Sequence, residues 1–258
     1  MKHSPLLKTA LDAAAKAAEV ARGYYQSNLE IQIKEDRTPV TAADVECEQR
    51  IREILTGRFP GHGFFGEETG QDKLDAEYLW LVDPIDGTKS FVRQQPFFST
   101  QIALMKAGEI VLGVSSAPMF DELAYAEKGQ GALLNGKRCR VSDVQTLDGC
   151  SLSTGNLGSL ARGGKWQAFG TLVASVDRVR GYGDFYHYHL LASGRIDLVI
   201  ESDVNILDIA ALSLIVEEAG GRFTDLAGAP VGLETSSVLA SNGLLHADAS
   251  GLLQGTSQ

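Results

Sequence analysis

The stretch Trp80-Leu81-Val82-Asp83-Pro84-Ile85-Asp86-Gly87-Thr88 constrains this chain more than any other. An apolar run ends in an acid. A proline follows that cannot donate to a sheet ladder, and a glycine then frees the backbone to turn. In a straight strand, residues three apart point to opposite faces. Asp83 and Asp86 therefore converge only if the chain bends between them. Such a bend also aims the peptide N–H groups of Gly87 and Thr88 outward, where an anion can bind. Read alone, the same residues describe an acidic turn after a strand, since Asp, Pro and Gly all favour turns.

The surrounding chain supplies a context for that turn. Leu6 to Tyr25 carries apolar residues at helical spacing (Leu7, Leu11, Ala14, Ala18), and Leu29 to Lys34 alternates as a half-buried strand. Thr41 reads as an N-cap with Asp44 three residues on, opening a helix that runs to about Phe59, before Pro60. Apolar runs at Tyr78–Val82, Phe97–Met105, Ile110–Ser115 and Glu122–Glu127, separated by turn residues, predict antiparallel β-structure. After about Leu134 the rhythm changes. Helices are expected at Lys165–Ser175, Asp184–Ser193 and Ile206–Ala219, and strands at Arg178–Tyr182, Ile196–Glu201 and Arg222–Asp225. Alternation of this kind implies crossover connections. The expected class is mixed α+β and α/β, with an antiparallel-sheet half over residues 1–134 and an α/β half over residues 135–258.

With 258 residues the chain can bury a substantial core, and 44% hydrophobic with 22% charged residues are ordinary globular values. A net charge of −10 argues against a nucleic-acid partner, which calls for a basic patch. No uncharged apolar run approaches the roughly 18 residues of a membrane span. Cys47, Cys139 and Cys150 are few, odd in number and lack CxxC spacing, so a reduced, cytoplasmic compartment is expected.

Three further acidic elements stand out. Gly66-Glu67-Glu68 follows the apolar Phe64-Phe65; Lys34-Glu35-Asp36 and Thr38-Pro39-Val40 lead into Thr41-Ala42-Ala43-Asp44; Asp208 opens the helix that ends at Gly220-Gly221. Each has a plain alternative: a solvated acid, or one that complements a helix dipole. Together, in this order and spacing, they resemble the inositol monophosphatase family of metal-dependent phosphatases over nearly the whole chain. The family usually has Trp before the late Asp; here Leu207 stands there.

The resemblance implies a layered αβαβα sugar-phosphatase-like fold, a homodimer, and two or three Mg²⁺ ions per site, with Mn²⁺ as a substitute. It assigns Glu67, Asp83 and the Ile85 carbonyl to one metal, and Asp83, Asp86 and Asp208 to a second. Asp44 and Thr88 would orient and help deprotonate the attacking water, with Glu67 beside them, and Asp86, Gly87 and Thr88 would face the phosphate. Physical chemistry agrees. Oxygen donors suit hard cations, and two carboxylates about 4 Å apart repel by roughly 4 kcal/mol at an effective dielectric near 20.

Substrate choice should come from the second half. Glu201 lies seven residues before Asp208, the family's spacing for a substrate-binding Glu. Arg178-Val179-Arg180-Gly181-Tyr182-Gly183-Asp184-Phe185 resembles the histidinol-phosphate phosphatase branch, as do Phe65–Gly70, Asp86–Phe91, Asn205 and Glu217–Asp225. Histidinol phosphate carries an ammonium and an imidazole, which Glu201 and Asp184 could meet. Arg180 could approach the phosphate or hold Asp184. The expected reaction is hydrolysis of a small phosphate monoester, histidinol phosphate first, inositol 1-phosphate or another sugar phosphate as the alternative. A regulatory protein that keeps the fold is the reading of a different class, and the complete set of ligand candidates counts against it. His187 and His189, two apart on a predicted helix, point different ways and make a poor metal pair. Trp166 and Phe169 read as packing, and Lys89 as a residue that either touches phosphate or faces solvent.

Overall fold

The computed structural model of the chain describes residues 3–26, 31–33 and 39–255. Helix α1 (Pro5–Tyr24) is followed by the short strands β1 (Ile31–Ile33) and β2 (Pro39–Thr41) and by helix α2 (Ala42–Arg58). Next come β3 (Gly63–Gly66), β4 (Gln71–Asp72), β5 (Tyr78–Asp86) and the short α3 (Thr88–Val92). A meander of β6 (Ser99–Lys106), β7 (Glu109–Ala117), β8 (Glu122–Glu127), β9 (Ala132–Leu134) and β10 (Lys137–Arg138) completes the first sheet. The second part runs β11 (Ser151–Gly155), α4 (Leu157–Arg162), α5 (Trp166–Ser175), β12 (Arg178–Arg180), α6 (Asp184–Ala192) and β13 (Leu198–Ser202). It closes with α7 (Ile206–Glu218), β14 (Arg222–Thr224), β15 (Ser237–Ser241) and α8 (His246–Leu253).

Two sheets dominate. The eight-stranded sheet has the order β10-β9-β8-β7-β6-β5-β3-β4, antiparallel except where β3 runs parallel to β5. The five-stranded sheet has the order β12-β11-β13-β15-β14, with β11 parallel to both neighbours and β15 antiparallel to both of its own. Apolar faces dictate the stacking. The alanine stripe of α1 and the buried side of α2 pack on the outer face of the first sheet against Trp80, Ile102 and Val114. Helices α6 and α7 fill the space between the sheets, where Leu190, Leu212 and Ile215 join Ala124 and Ala126 of β8 with Val199 and Ala240 of the second sheet. Helices α4, α5 and α8 cover the far face through Leu160, Phe169 and Leu253. The result is the αβαβα layering that the family resemblance implies.

Helix α7 is apolar nearly all round because both sides are covered; ten of its residues are buried. It approaches β7 closely because Gly113 has no side chain: a Cβ there would stand 3.0 Å from the Ala211 Cα. This close approach carries Asp208, at the helix start, toward the end of β5.

Most predicted elements occur within a residue or two of the expected bounds, and Glu122–Glu127 matches outright. Strand β5 runs past Val82 to Asp86, four residues beyond the predicted end, because Pro84 is absorbed in a bulge. Of the predicted Leu29–Lys34 strand, Ile31–Ile33 is a strand; Leu29, Glu30 and Lys34 lie outside the described residues, as do Glu35, Asp36 and Thr38. One hydrophobic cluster draws on both sides of the 134/135 seam.

Candidate active site

The bulge in β5 answers the parity problem set by the sequence. Asp83 pairs with Gln101 and Asp86 with Ser99, so Pro84 and Ile85 on β5 stand against Thr100 alone on β6. One extra residue reverses the alternation, and carboxylates three apart now face the same side. The Thr100 hydroxyl donates to the Pro84 carbonyl at 2.9 Å, and the Ile85 N–H donates to Asp83 Oδ1 at 3.0 Å, which pins the bulge. Gly87 then turns the chain at φ +90°; a Cβ there would lie 2.6 Å from the Phe97 carbonyl oxygen. Thr88 follows as the first residue of α3.

Two helix caps bring the remaining acids. Asp44 closes a capping box on α2, accepting from the Thr41 N–H at 2.8 Å and the Thr41 hydroxyl at 2.6 Å. Its other oxygen faces the Thr88 hydroxyl at 3.2 Å, while that hydroxyl also lies 3.0 Å from the Ile85 carbonyl. Asp44 is therefore both the capping acid of the plain reading and a partner of Thr88. Asp208 makes the equivalent box on α7, accepting from the Asn205 N–H at 2.8 Å and its side-chain amide at 2.9 Å.

Glu67 sits just past β3 and borders Asp83, with which it shares a hydrogen bond. Its loop is held by Glu48, a fully buried acid one turn after Asp44 on α2. Glu48 accepts from the Glu68 N–H at 2.7 Å, the Thr69 N–H at 2.5 Å and the Thr69 hydroxyl. Arg52 reinforces it, donating to the Thr69 carbonyl and hydroxyl at 3.1 Å each. The sequence reading passed over Glu48; its one available signal was helical spacing from Asp44.

Asp83, Asp86 and Asp208 each offer an oxygen within 4.8 Å of the others. Burial, then Glu67, Asp86 and Asp208, push the Asp83 carboxyl well above the carboxylate range. Burial, then Asp184, Asp208 and Glu201, do the same to Asp86. Burial raises Asp208 to about 7, with Glu67 and Glu201 adding to it and the Asn205 N–H opposing. A cluster that cannot be fully ionised at neutral pH by itself, built only of hard oxygen donors, fits divalent cations of the Mg²⁺ type. Burial also raises Asp44, against the hydrogen bonds from Thr41 and Thr88.

The second half brings more acid. Asp184 opens α6 at φ +46°, an unfavourable conformation that Asp tolerates better than most residues. Burial and Glu201 raise it to about 6, and His187 and the exposed Lys89 lower it. Glu201, which a bland reading would place at the surface, is 3% exposed within β13. Its Oε2 accepts from the Tyr188 hydroxyl at 2.7 Å and lies 3.1 Å from His187 Nε2. Arg180 is exposed and donates to the Val179 carbonyl; among the described residues no ion pair joins it to Asp184. His187 and His189 do point different ways, the first to Glu201 and the second to Glu122. Trp166 packs on Phe169, ring centres 5.6 Å apart. Leu207 is buried but lines a cleft of about 760 Å³ with Glu67, Asn205 and Leu233.

The family profile of the inositol monophosphatases matches residues 2–256. A histidinol-phosphatase of Mycobacterium tuberculosis is 42% identical over 95% of this chain and 96% of its own. An inositol-1-monophosphatase of Caulobacter vibrioides is 37% identical over 92% of this chain and 96% of its own. Among solved structures, the extragenic suppressor protein suhB of Bartonella henselae superposes with a TM-score of 0.90 at 33% identity, covering 97% of this chain and 99% of that one.

Proposed function

The chain belongs to the inositol monophosphatase family, and we propose that it is a Mg²⁺-dependent hydrolase of a small phosphate monoester, with L-histidinol phosphate as the substrate its site suits best. The observation that carries the choice is the acid gathered beyond the candidate metal ligands: Asp184 and Glu201 both stand close enough to Asp86 to raise its carboxyl. A substrate with an ammonium and an imidazole can use that charge, whereas a neutral polyol brings no positive charge to it. The identity to histidinol-phosphatases supports the same choice. Inositol 1-phosphate is the second reading, favoured by the Caulobacter relative.

In this reading Glu67, Asp83, Asp86, Asp208 and the Ile85 carbonyl would hold the cations. Bound Mg²⁺ would supply Lewis acidity toward the phosphoryl and leaving-group oxygens and make a nearby water more acidic. With the Ile85 carbonyl taken up by a cation, Asp44 Oδ1 would accept the Thr88 proton, leaving the Thr88 oxygen to accept from the attacking water. Burial makes Asp44 a stronger base than a surface carboxylate, matching it better to neutral pH. Gly87 and Thr88, at the start of α3, would offer their peptide N–H groups to the phosphate. His187 and Tyr188 fix the Glu201 carboxylate for the cationic end of the substrate. A cytoplasmic homodimer completes the proposal.

The test is a panel of phosphate esters with Mg²⁺ in which kcat/KM is measured for histidinol phosphate, inositol 1-phosphate and glycerol phosphate. Histidinol phosphate should lead. A higher value for inositol 1-phosphate would transfer the assignment to the second reading, and no hydrolysis of any ester would end it.

A further inference from the structure

Behind Asp86 a line of buried polar side chains crosses the first sheet, and none of them enters the scheme above. The Ser99 hydroxyl donates to Asp86 Oδ2 at 3.2 Å. The Gln101 side-chain amide donates to Ser99 Oγ at 2.7 Å and to Ser115 Oγ at 3.0 Å. Ser115 Oγ lies 2.8 Å from His189 Nε2, and His189 Nδ1 lies 2.9 Å from Glu122 Oε2. Ser99, Gln101 and Ser115 are fully buried and His189 is 2% exposed. The line ends at Glu122, 3.6 Å from the half-exposed Arg195.

Sheet geometry produces this line. Ser99 and Gln101 are two apart on β6 and share a face. Ser99 is the cross-strand partner of Asp86, and Gln101 is that of Ser115. Helix α6 then lays His189 over the end of the row.

The direction of every proton follows from the orientation assigned to one amide. Gln101 Nε2 carries two hydrogens, and two hydroxyl oxygens stand within reach of it. Each serine thereby accepts from Gln101 and keeps its own proton to give away. Ser99 gives its proton to Asp86. Ser115 gives its proton to His189 Nε2, which leaves the ring proton on Nδ1, pointing at the Glu122 carboxylate. The reverse orientation of the amide would draw both hydroxyl protons to Gln101 Oε1 and leave Asp86 without a donor. In this orientation Gln101 Oε1 is buried with no hydrogen-bond partner among the described residues. An orphaned buried carbonyl lowers stability, and such groups call for a functional explanation.

We propose that Glu122, His189, Ser115, Gln101 and Ser99 form a positioning relay that holds Asp86 as a hydrogen-bonded, correctly turned ligand for the divalent cation. It rests on the reading of Asp86 as a metal ligand given above. Ligand carboxylates are oriented by the groups that hydrogen-bond them, and loss of such a partner lowers metal affinity on the order of 10- to 100-fold. Glu122 anchors the far end, since its carboxylate leaves the ring only one tautomer that satisfies both nitrogens.

The experiment is direct Mn²⁺ binding by calorimetry, without substrate, to the wild type and to Ser99→Ala. The variant removes the hydroxyl that donates to Asp86. Mn²⁺ affinity should fall on the order of 10- to 100-fold. A merely structural role predicts a lower unfolding temperature of the metal-free protein with affinity unchanged, and that result would overturn the relay. If Ser99→Ala does not fold, Gln101→Glu serves in its place. Its carboxylate draws the Ser99 proton away from Asp86, so unchanged affinity there refutes the relay equally. A second arm needs no metal: the ¹⁵N spectrum of His189 should show the Nδ1–H tautomer and should shift in Ser115→Ala. An Nε2–H ring in the wild type would also overturn the relay. If the wild type binds no Mn²⁺, the metal-dependent function fails, whereas the ring spectrum still decides the hydrogen-bond polarity.

Discussion

Replacing Asp208 by Asn should stabilise the metal-free protein while removing its response to Mg²⁺. In the absence of cations, burial and the neighbouring Glu67 and Glu201 raise the Asp208 carboxyl from 3.8 to about 7. The folded state then holds a proton between those values that the unfolded chain has released, so stability falls as pH rises from 3.8 through about 7 and stays lost above it. That interval corresponds to about 4 kcal/mol, and solvent relaxation around this partly buried group reduces it to roughly 3. The amide retains the bond from the Asn205 N–H but loses the one from the Asn205 side chain, which costs about 1 kcal/mol. The net gain is on the order of 2 kcal/mol at pH 8, or about 4–8 °C in Tm for a chain of this size.

The assay is thermal unfolding of chelator-treated wild type and Asp208→Asn at pH 8 and pH 5, each with and without Mg²⁺. At pH 8 the variant should melt higher without metal, and added Mg²⁺ should raise the wild type much more than the variant. At pH 5 the remaining penalty, from 3.8 to 5, is only about 1 kcal/mol and is offset by the lost Asn205 hydrogen bond, so the variant's advantage should vanish. An equal advantage at both pH values would mean that shape rather than charge is responsible. A variant no more stable than the wild type at pH 8 would refute the electrostatic reasoning.

Asp44→Asn should leave Mn²⁺ affinity within a few-fold of wild type but lower kcat by about 10²–10⁴; unchanged kcat would return Asp44 to a capping role. Glu201→Gln should lower kcat/KM for histidinol phosphate about tenfold to a hundredfold, from the lost charge of roughly 1–3 kcal/mol, and lower that for glycerol phosphate much less. Equal losses on both esters would remove the argument for a cationic substrate. Burial and Arg222 push His246 down to about 4, and its ring hydrogen-bonds to Thr224 and Ser241. Because the depressed value favours the neutral ring, its contribution to stability should be complete above about pH 6.5 and be lost as pH falls toward 4. Urea unfolding of wild type and His246→Gln from pH 7 to 4.5 should show a shallower pH slope in the variant.

What the sequence disclosed was carried by contiguous segments. Thr41 with Asp44 writes a helix cap into four residues, and the cap forms; Asp208 was legible as the acid that opens α7, its cap partner Asn205 was not. The bend between Asp83 and Asp86 was required by parity and signalled by Pro84. What stayed hidden depends on which strand lies beside which. Ser99 and Gln101 look like polar interruptions of the Phe97–Met105 run until β6 is set against β5 and β7. Glu48 looks like one more helix acid until the Glu67 loop is laid across it. Short elements such as β11, β15 and α8 were missed because runs of five to eight residues carry too little periodicity to announce themselves.

The bulge in β5 links fold and chemistry more tightly than any ligand taken alone. Asp83 looks across to Gln101, and through the extra residue Asp86 looks across to Ser99 on the same face. The same face receives the start of α7, which Gly113 admits close to the sheet with Asp208 at its tip. Without the extra residue Asp86 would turn toward the α1–α2 side, where Ile102 and Trp80 pack in a dry core. An unpaired carboxylate there would be far costlier than one among cations. The turn that looked like an acidic loop therefore sets the register of the sheet and the composition of the site together. A one-residue deletion between Asp83 and Asp86 should fail by unfolding, before it can fail by losing metal.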